Sequence, residues 1–81
     1  MMDTPYYELT DETIVIKGKT LYRIQALVDL ATHNVCKGDL GGFIQSIDNL
    51  SGNAWVSGNA EVSGNAEVFG NAEVFGNARE D

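Results

Sequence analysis

From Gly52 onward the chain repeats every six residues. Gly-Asn-Ala-Trp-Val-Ser is followed by Gly-Asn-Ala-Glu-Val-Ser, then by Gly-Asn-Ala-Glu-Val-Phe twice, and Gly76-Asn77-Ala78 opens a fifth unit. A strict short period dictates architecture before any other feature does. An α-helix is excluded: six is not a multiple of 3.6, and a glycine in every sixth place costs about 1 kcal/mol each in a helix. A strand reading fits. Val56, Val62, Val68 and Val74 recur with Ala54, Ala60, Ala66 and Ala72 two positions before them. Alternation along a strand puts each Ala-Val pair on one side, which makes it the inward set. Trp55, Glu61, Glu67 and Glu73 then point outward, as do Ser57, Ser63, Phe69 and Phe75. Gly-Asn supplies the corner, since both residues tolerate positive φ. Counting back by six from Val56 reaches Leu50 and Ile44, so the array is expected to begin near Ile44. That first unit is degenerate, because Asp48 stands where the small alanine belongs.

The first half lacks the repeat. Residues 5–10 and 13–17 are strand-like, the second being Thr-Ile-Val-Ile-Lys. Lys17-Gly18-Lys19 is a hairpin signal leading into Thr20 to Leu27. Val28 to Lys37 is ambiguous: Asp29 to Thr32 suits a helical turn and His33-Asn34 a loop. The expectation is a small β-meander that covers the first open edge of the array, because an uncovered edge invites aggregation and repeat stacks need caps.

The pattern Val-x-Gly-Asn-Ala-x resembles the hexapeptide repeat of left-handed parallel β-helices, in which three units make one triangular turn. Leu21 to Leu27, Lys37-Gly38-Asp39-Leu40-Gly41-Gly42-Phe43-Ile44 and Asn49-Leu50-Ser51 resemble the opening of uncharacterised phage and prophage hexapeptide-repeat proteins. The resemblance spans about residues 20–78 and is specific for fold. It implies an all-β chain: a short left-handed parallel β-helix of about two turns over residues 44–81, capped by a β-meander over residues 1–43. The left hand comes from the family, since the general preference is for right-handed crossovers. Three units per turn would stack Glu61 by Arg79, Glu67 by Asn49, Glu73 by Trp55 and Phe75 over Ser57.

With 81 residues, the chain can bury only roughly 60% of the surface it exposes unfolded. Its one cysteine, Cys36, permits no internal disulfide, which suits a reducing, cytoplasmic setting. The net charge of −7 opposes direct nucleic-acid binding, which draws its affinity from Lys and Arg, and disfavours anionic membranes. No apolar run approaches the roughly 20 residues of a membrane span. Met1 to Pro5 has neither the basic start nor the apolar run of a signal peptide.

Few residues suggest chemistry. His33 and Cys36 form a His-x-x-Cys pair, but structural zinc needs a second pair. The reading is a loop histidine beside a half-buried thiol, with no metal, no cofactor and no catalytic Cys–His dyad. Gly38 to Gly42 lacks the Lys-Ser/Thr and the helix of a phosphate loop, so it reads as turn chemistry between cap and array. Related acyltransferases use a histidine on or beside the coil, and the repeat segment here has none. Glu61, Glu67 and Glu73 invite a phosphate-mimic reading, alone or with Asp48, Glu80 and Asp81, yet three units per turn would place the three glutamates on three faces. Outward Trp55, Phe69 and Phe75 point to a contact surface for a partner or for self-association, since large exposed apolar groups on a small protein usually mark one; the alternative is that they pack against the N-terminal meander.

These readings converge on a non-enzymatic, phage-type binding protein. Its protein partner would be a host defence or nucleic-acid-processing complex in the host cytoplasm. The expected contact residues are Trp55, Phe69, Phe75, Glu61, Glu67 and Glu73. The alternatives are a self-associating assembly module and an acyltransferase-type fragment. A homodimer through the C-terminal coil is expected because two turns share one interface and closed two-fold dimers are common; related proteins leave a trimer open. Arg79-Glu80-Asp81 would discourage endless stacking by charge.

Overall fold

A computed structural model describes residues 5–80. Met1 to Thr4, which carry most of the signal-peptide reading, and Asp81, part of the charged stop, lie outside the described residues. The fold is all-β, with no α-helix among the described residues. The strands are β1 (Tyr7–Ile16), β2 (Lys19–Ala26), β3 (Leu40–Ile44), β4 (Trp55–Val56), β5 (Glu61–Val62), β6 (Glu73–Val74) and β7 (Arg79–Glu80).

β1 and β2 form an antiparallel hairpin across Lys17 and Gly18, whose φ angles of 51° and 81° are both left-handed. Two such residues make the turn whose twist matches a hairpin. The two strand-like stretches expected near the N-terminus are one strand with a register shift between Leu9 and Thr13. Thr10 occupies the irregularity: its Oγ1 donates to the Arg23 carbonyl at 2.9 Å and accepts from the Glu12 N–H at 3.2 Å. The ambiguous stretch contains a 3-10 turn at Ala31–His33, closed by a left-handed Asn34.

β3 pairs antiparallel with β2 on one side and parallel with β5 on the other. From there every pairing is parallel and joins residues 18 apart: Phe43 with Glu61, Glu61 with Arg79, Trp55 with Glu73, Leu50 with Val68. The sheets run β1-β2-β3-β5-β7 and β4-β6. The hairpin is thus joined to the repeats through a shared strand, and the expected boundary between residues 43 and 44 falls inside β3.

Most of the expected inward set is buried, namely Ile44, Leu50, Val56, Val62 and Val68 with Ala54 and Ala60, whereas Ala66 and Val74 are half-buried and Ala72 is exposed, so the inward reading fails for Ala72 in the last repeats. At the corners the glycines take φ of 62–69° (Gly52, Gly58, Gly64, Gly70, Gly76). Gly58 is the first central residue of a turn closed by Ala60 N–H on the Ser57 carbonyl at 3.2 Å, a position where glycine is favoured. The asparagines that follow are not left-handed, so glycine alone carries the positive φ. In the degenerate unit a 3-10 turn, Ile47–Asn49, replaces the glycine corner, and Ser46 caps it. Asn49 is buried and Asp48 exposed. The Asn49 Nδ2 donates to the carbonyls of Ala66 at 2.7 Å and Gly64 at 3.3 Å, tying this turn to the next.

The glycine segment 38–42 departs from the turn reading. Gly38, at φ 94°, does sit in a turn, but Gly41 and Gly42 are buried within β3. A Cβ on Gly42 would lie 2.6 Å from both the Ala60 carbonyl oxygen and Val56 Cγ1. Close packing of β3 against the β4–β5 segment, not turn geometry, requires them.

Candidate interaction surface

Alternation places Trp55 opposite Val56, and hence outside the aliphatic stack. Outside it is nonetheless buried: Trp55 is 1% exposed, so it is not a surface contact residue. It belongs to one cluster with Tyr7, Ile24, Ala26, Leu30 and Val35 from the first half of the chain. The Tyr6 hydroxyl donates to the Ala54 carbonyl at 2.7 Å, and the Tyr7 hydroxyl to that of Ile47 at 3.1 Å. Burial pushes both phenols up, Tyr7 to about 12 with smaller contributions from Tyr6 and Asp48. The N-terminal segment therefore covers this face as well as the edge of β3.

Phe69 and Phe75 differ from Trp55 because nothing in the described chain covers them. They are 66% and 67% exposed and immediately precede the successive corner glycines Gly70 and Gly76. The equivalent positions 18 residues earlier are Ser51 and Ser57, so apolar bulk appears only in the later repeats.

The three glutamates occupy three separate rows and have three different surroundings. Glu61 Oε1 meets Arg79 Nε at 3.2 Å, with only 17% of its side chain exposed. Glu67 is exposed. The Glu73 carboxylate accepts from Ser57 Oγ at 3.2 Å and meets His33 Nδ1 at 2.8 Å. The row through Glu61 continues across the sheet. Phe43 pairs with Glu61 and Arg23 with Phe43; the Arg23 guanidinium stacks 4.3 Å from the Phe43 ring centroid, and its Nε meets Glu12 Oε2 at 2.8 Å. Arg23 Nη1 also donates to the Gly41 carbonyl at 2.6 Å. Arginine is suited to this combined stacking and bonding.

His33 and Cys36 are not a unit. Cys36 is exposed rather than half-buried, whereas the His33 side chain is buried and directed at the repeats. Its partner Glu73 lies 40 residues away, a separation that local spacing cannot reveal. Among the described residues no group of three or more His, Cys, Asp or Glu is placed to hold a metal ion. A polar depression of about 330 Å³ lies beside Asn49, lined by Asp48, Asn65 and Glu67 among others. One of about 60 Å³ lies between the hairpin tip and β7, lined by Lys17, Lys19, Glu61, Arg79 and Glu80 among others. Among the described residues no helix is long and apolar enough to cross a membrane.

In comparisons with known proteins, the chain matches no family model, no curated protein and no solved structure.

Proposed function

We propose that this chain is a non-enzymatic binding protein whose repeat segment is a short left-handed parallel β-helix and whose contact surface centres on Phe69 and Phe75. The 18-residue offset of every parallel pair supports three hexapeptides per turn. The hand follows the resemblance to phage and prophage hexapeptide-repeat proteins. The observation that carries the functional reading is the exposure of two phenylalanines in a chain whose other aromatic rings are at least partly covered. Burying each at an interface is worth about 1.5–3 kcal/mol. Glu67 and the Glu73 side add carboxylates around this apolar centre. In a phage setting the partner is a host defence or nucleic-acid-processing complex.

Affinity capture from a bacterial lysate tests this, using wild type and Phe69→Ser/Phe75→Ser, with Trp55 emission confirming that both fold. One stoichiometric protein held by wild type and released by the double variant is expected. Equal retention by both proteins, or none by wild type, refutes the reading.

A second reading, self-association, is favoured by the sheet order: β6 and β7 each stand at the end of a ladder, and exposed strand edges pair readily. Light scattering at micromolar concentration decides it. A monomeric wild type excludes a homodimer. An oligomer unchanged by the double variant places its interface away from the phenylalanines.

A further inference from the structure

The repeat segment has a hydrogen-bonding polarity. On the face that carries β4 and β6, the N–H groups of Asn53, Trp55 and Ser57 donate to the carbonyls of Gly70, Ala72 and Val74 at 2.9, 3.2 and 2.8 Å. The donors of one level point towards the next, and the carbonyls that receive them point back. Where the array begins, the first half of the chain supplies the backward-pointing carbonyls. Ala54 accepts from the Tyr6 hydroxyl at 2.7 Å, Gly58 from Arg23 Nη1 at 3.4 Å and Ala60 from the Phe43 N–H at 2.9 Å. The N-terminal cap is thus a set of donors fitted to an acceptor end.

The opposite end has the reverse character. Asn71, Glu73 and Phe75 stand 18 residues beyond Asn53, Trp55 and Ser57, and their N–H groups meet no acceptor among the described residues. They lie on β6 and its flanks, at the end of a ladder. The carbonyls of Phe69 and Phe75 are already taken by the Ala72 and Ala78 N–H groups within the corners, at 3.2 and 3.3 Å. This edge is therefore richer in donors than in acceptors. Its apolar side is uncovered too: Ala54 and Val56 are 0% exposed, whereas Ala72 is exposed and Val74 half-buried. The same few residues lack both a bonding partner and apolar cover.

We propose, on the reading of this chain as a binding protein, that the β6 edge takes up an extended segment of its protein partner as one more parallel strand. The segment supplies backbone carbonyls to the N–H groups of Asn71, Glu73 and Phe75, as Gly70, Ala72 and Val74 do one level below. In strand addition, main-chain bonds give affinity and alternate side chains give specificity. Inward positions of the segment carry small apolar residues, which cover Ala72 and Val74. Outward positions carry basic rather than acidic residues, because Glu73 projects beside them and the chain bears a net charge of −7. A second copy of this chain fits the edge badly. Two donor-rich edges would set N–H groups against N–H groups and bring two Glu73 side chains together.

Amide hydrogen exchange on the intact chain, read residue by residue by NMR, tests this. The probe is the blocked peptide acetyl-Gly-Asn-Ala-Lys-Val-Ser-amide, which copies residues 70–75 with lysine for the outward glutamate and serine for the phenylalanine. In the free chain, Asn53, Trp55 and Ser57 should exchange slowly and Asn71, Glu73 and Phe75 fast. With the peptide at ten times its dissociation constant, exchange at the latter three should slow roughly tenfold, as mass action requires. A peptide with glutamate in place of lysine should protect them less at equal concentration. Phe69→Ser/Phe75→Ser should still take up the lysine peptide, because the pairing uses backbone groups; failure of this edge is thereby distinguished from failure of the phenylalanine surface. No slowing at any soluble peptide concentration, or slowing only at other amides, overturns the proposal. So does equal protection by the glutamate peptide. Protection of Asn71, Glu73 and Phe75 in the free chain that rises with protein concentration also overturns it, and makes the occupant a second copy.

Discussion

Adding one methyl group at Gly41 should be among the most damaging single changes the fold can suffer. A Cβ there would press on the Val56 carbonyl oxygen and lie 2.7 Å from Ile24 Cγ1 and 2.8 Å from Trp55 Cζ2. Ordinary contacts at such a position begin near 3.4 Å, so both side chains would have to retreat by more than half an ångström. Each belongs to the buried cluster, which has little free space to receive it. The carbonyl is backbone in β4, adjacent to the Ser57 N–H that bonds the Val74 carbonyl at 2.8 Å, so moving it disturbs that ladder. Overpacking costs typically about 1–3 kcal/mol. A contact on backbone from one side and on two buried side chains from the others places Gly41→Ala at the upper figure. Against a total stability on the order of 4–12 kcal/mol for a domain this size, about 3 kcal/mol is a large fraction. Gly38→Ala is the control: no atom lies within 4 Å of its Cβ, and the cost is only the strain of φ 94°, about 1–2 kcal/mol. Urea titration monitored by Trp55, the one tryptophan and a buried one, reads both. If Gly41→Ala proves as stable as Gly38→Ala, close packing is not the reason for glycine in β3.

Two further outcomes follow from the same structure. Val68→Asp places a carboxylate at a buried position paired with Leu50, so cooperative unfolding should be lost or stability should fall by several kcal/mol; Glu67→Gln, one residue away but exposed, should stay within about 0.5 kcal/mol of wild type. In alkali, Tyr7 is held neutral by burial with its pKa pushed up to about 12, so the folded state keeps a proton that the unfolded chain gives up near pH 10. Its contribution is therefore complete below about pH 10 and declines from there to about pH 12, and Tyr7→Phe should flatten this part of a stability–pH curve.

Much of the repeat segment was legible in residue order alone. Val56, Val62 and Val68 with Ala54 and Ala60 point inward because strand alternation is a local property, set by backbone geometry over two residues. The positive φ of the corner glycines is likewise a local requirement. Alternation also set Trp55 in the outward set, one step from Val56. Its burial is a different matter. Whether an outward residue meets water depends on what the rest of the chain lays over it, and the N-terminal segment covers Trp55 while leaving Phe69 and Phe75 open. The same holds for His33, read as a loop histidine beside Cys36 although its partners are Glu73 and Asn53. Gly41 and Gly42 looked like turn residues because glycine has the same one-letter signature whether it serves φ or space. Period and parity are written along a chain, whereas contacts between segments far apart in sequence exist only once the chain has folded back on itself, and those contacts decide which residues this protein shows to solvent.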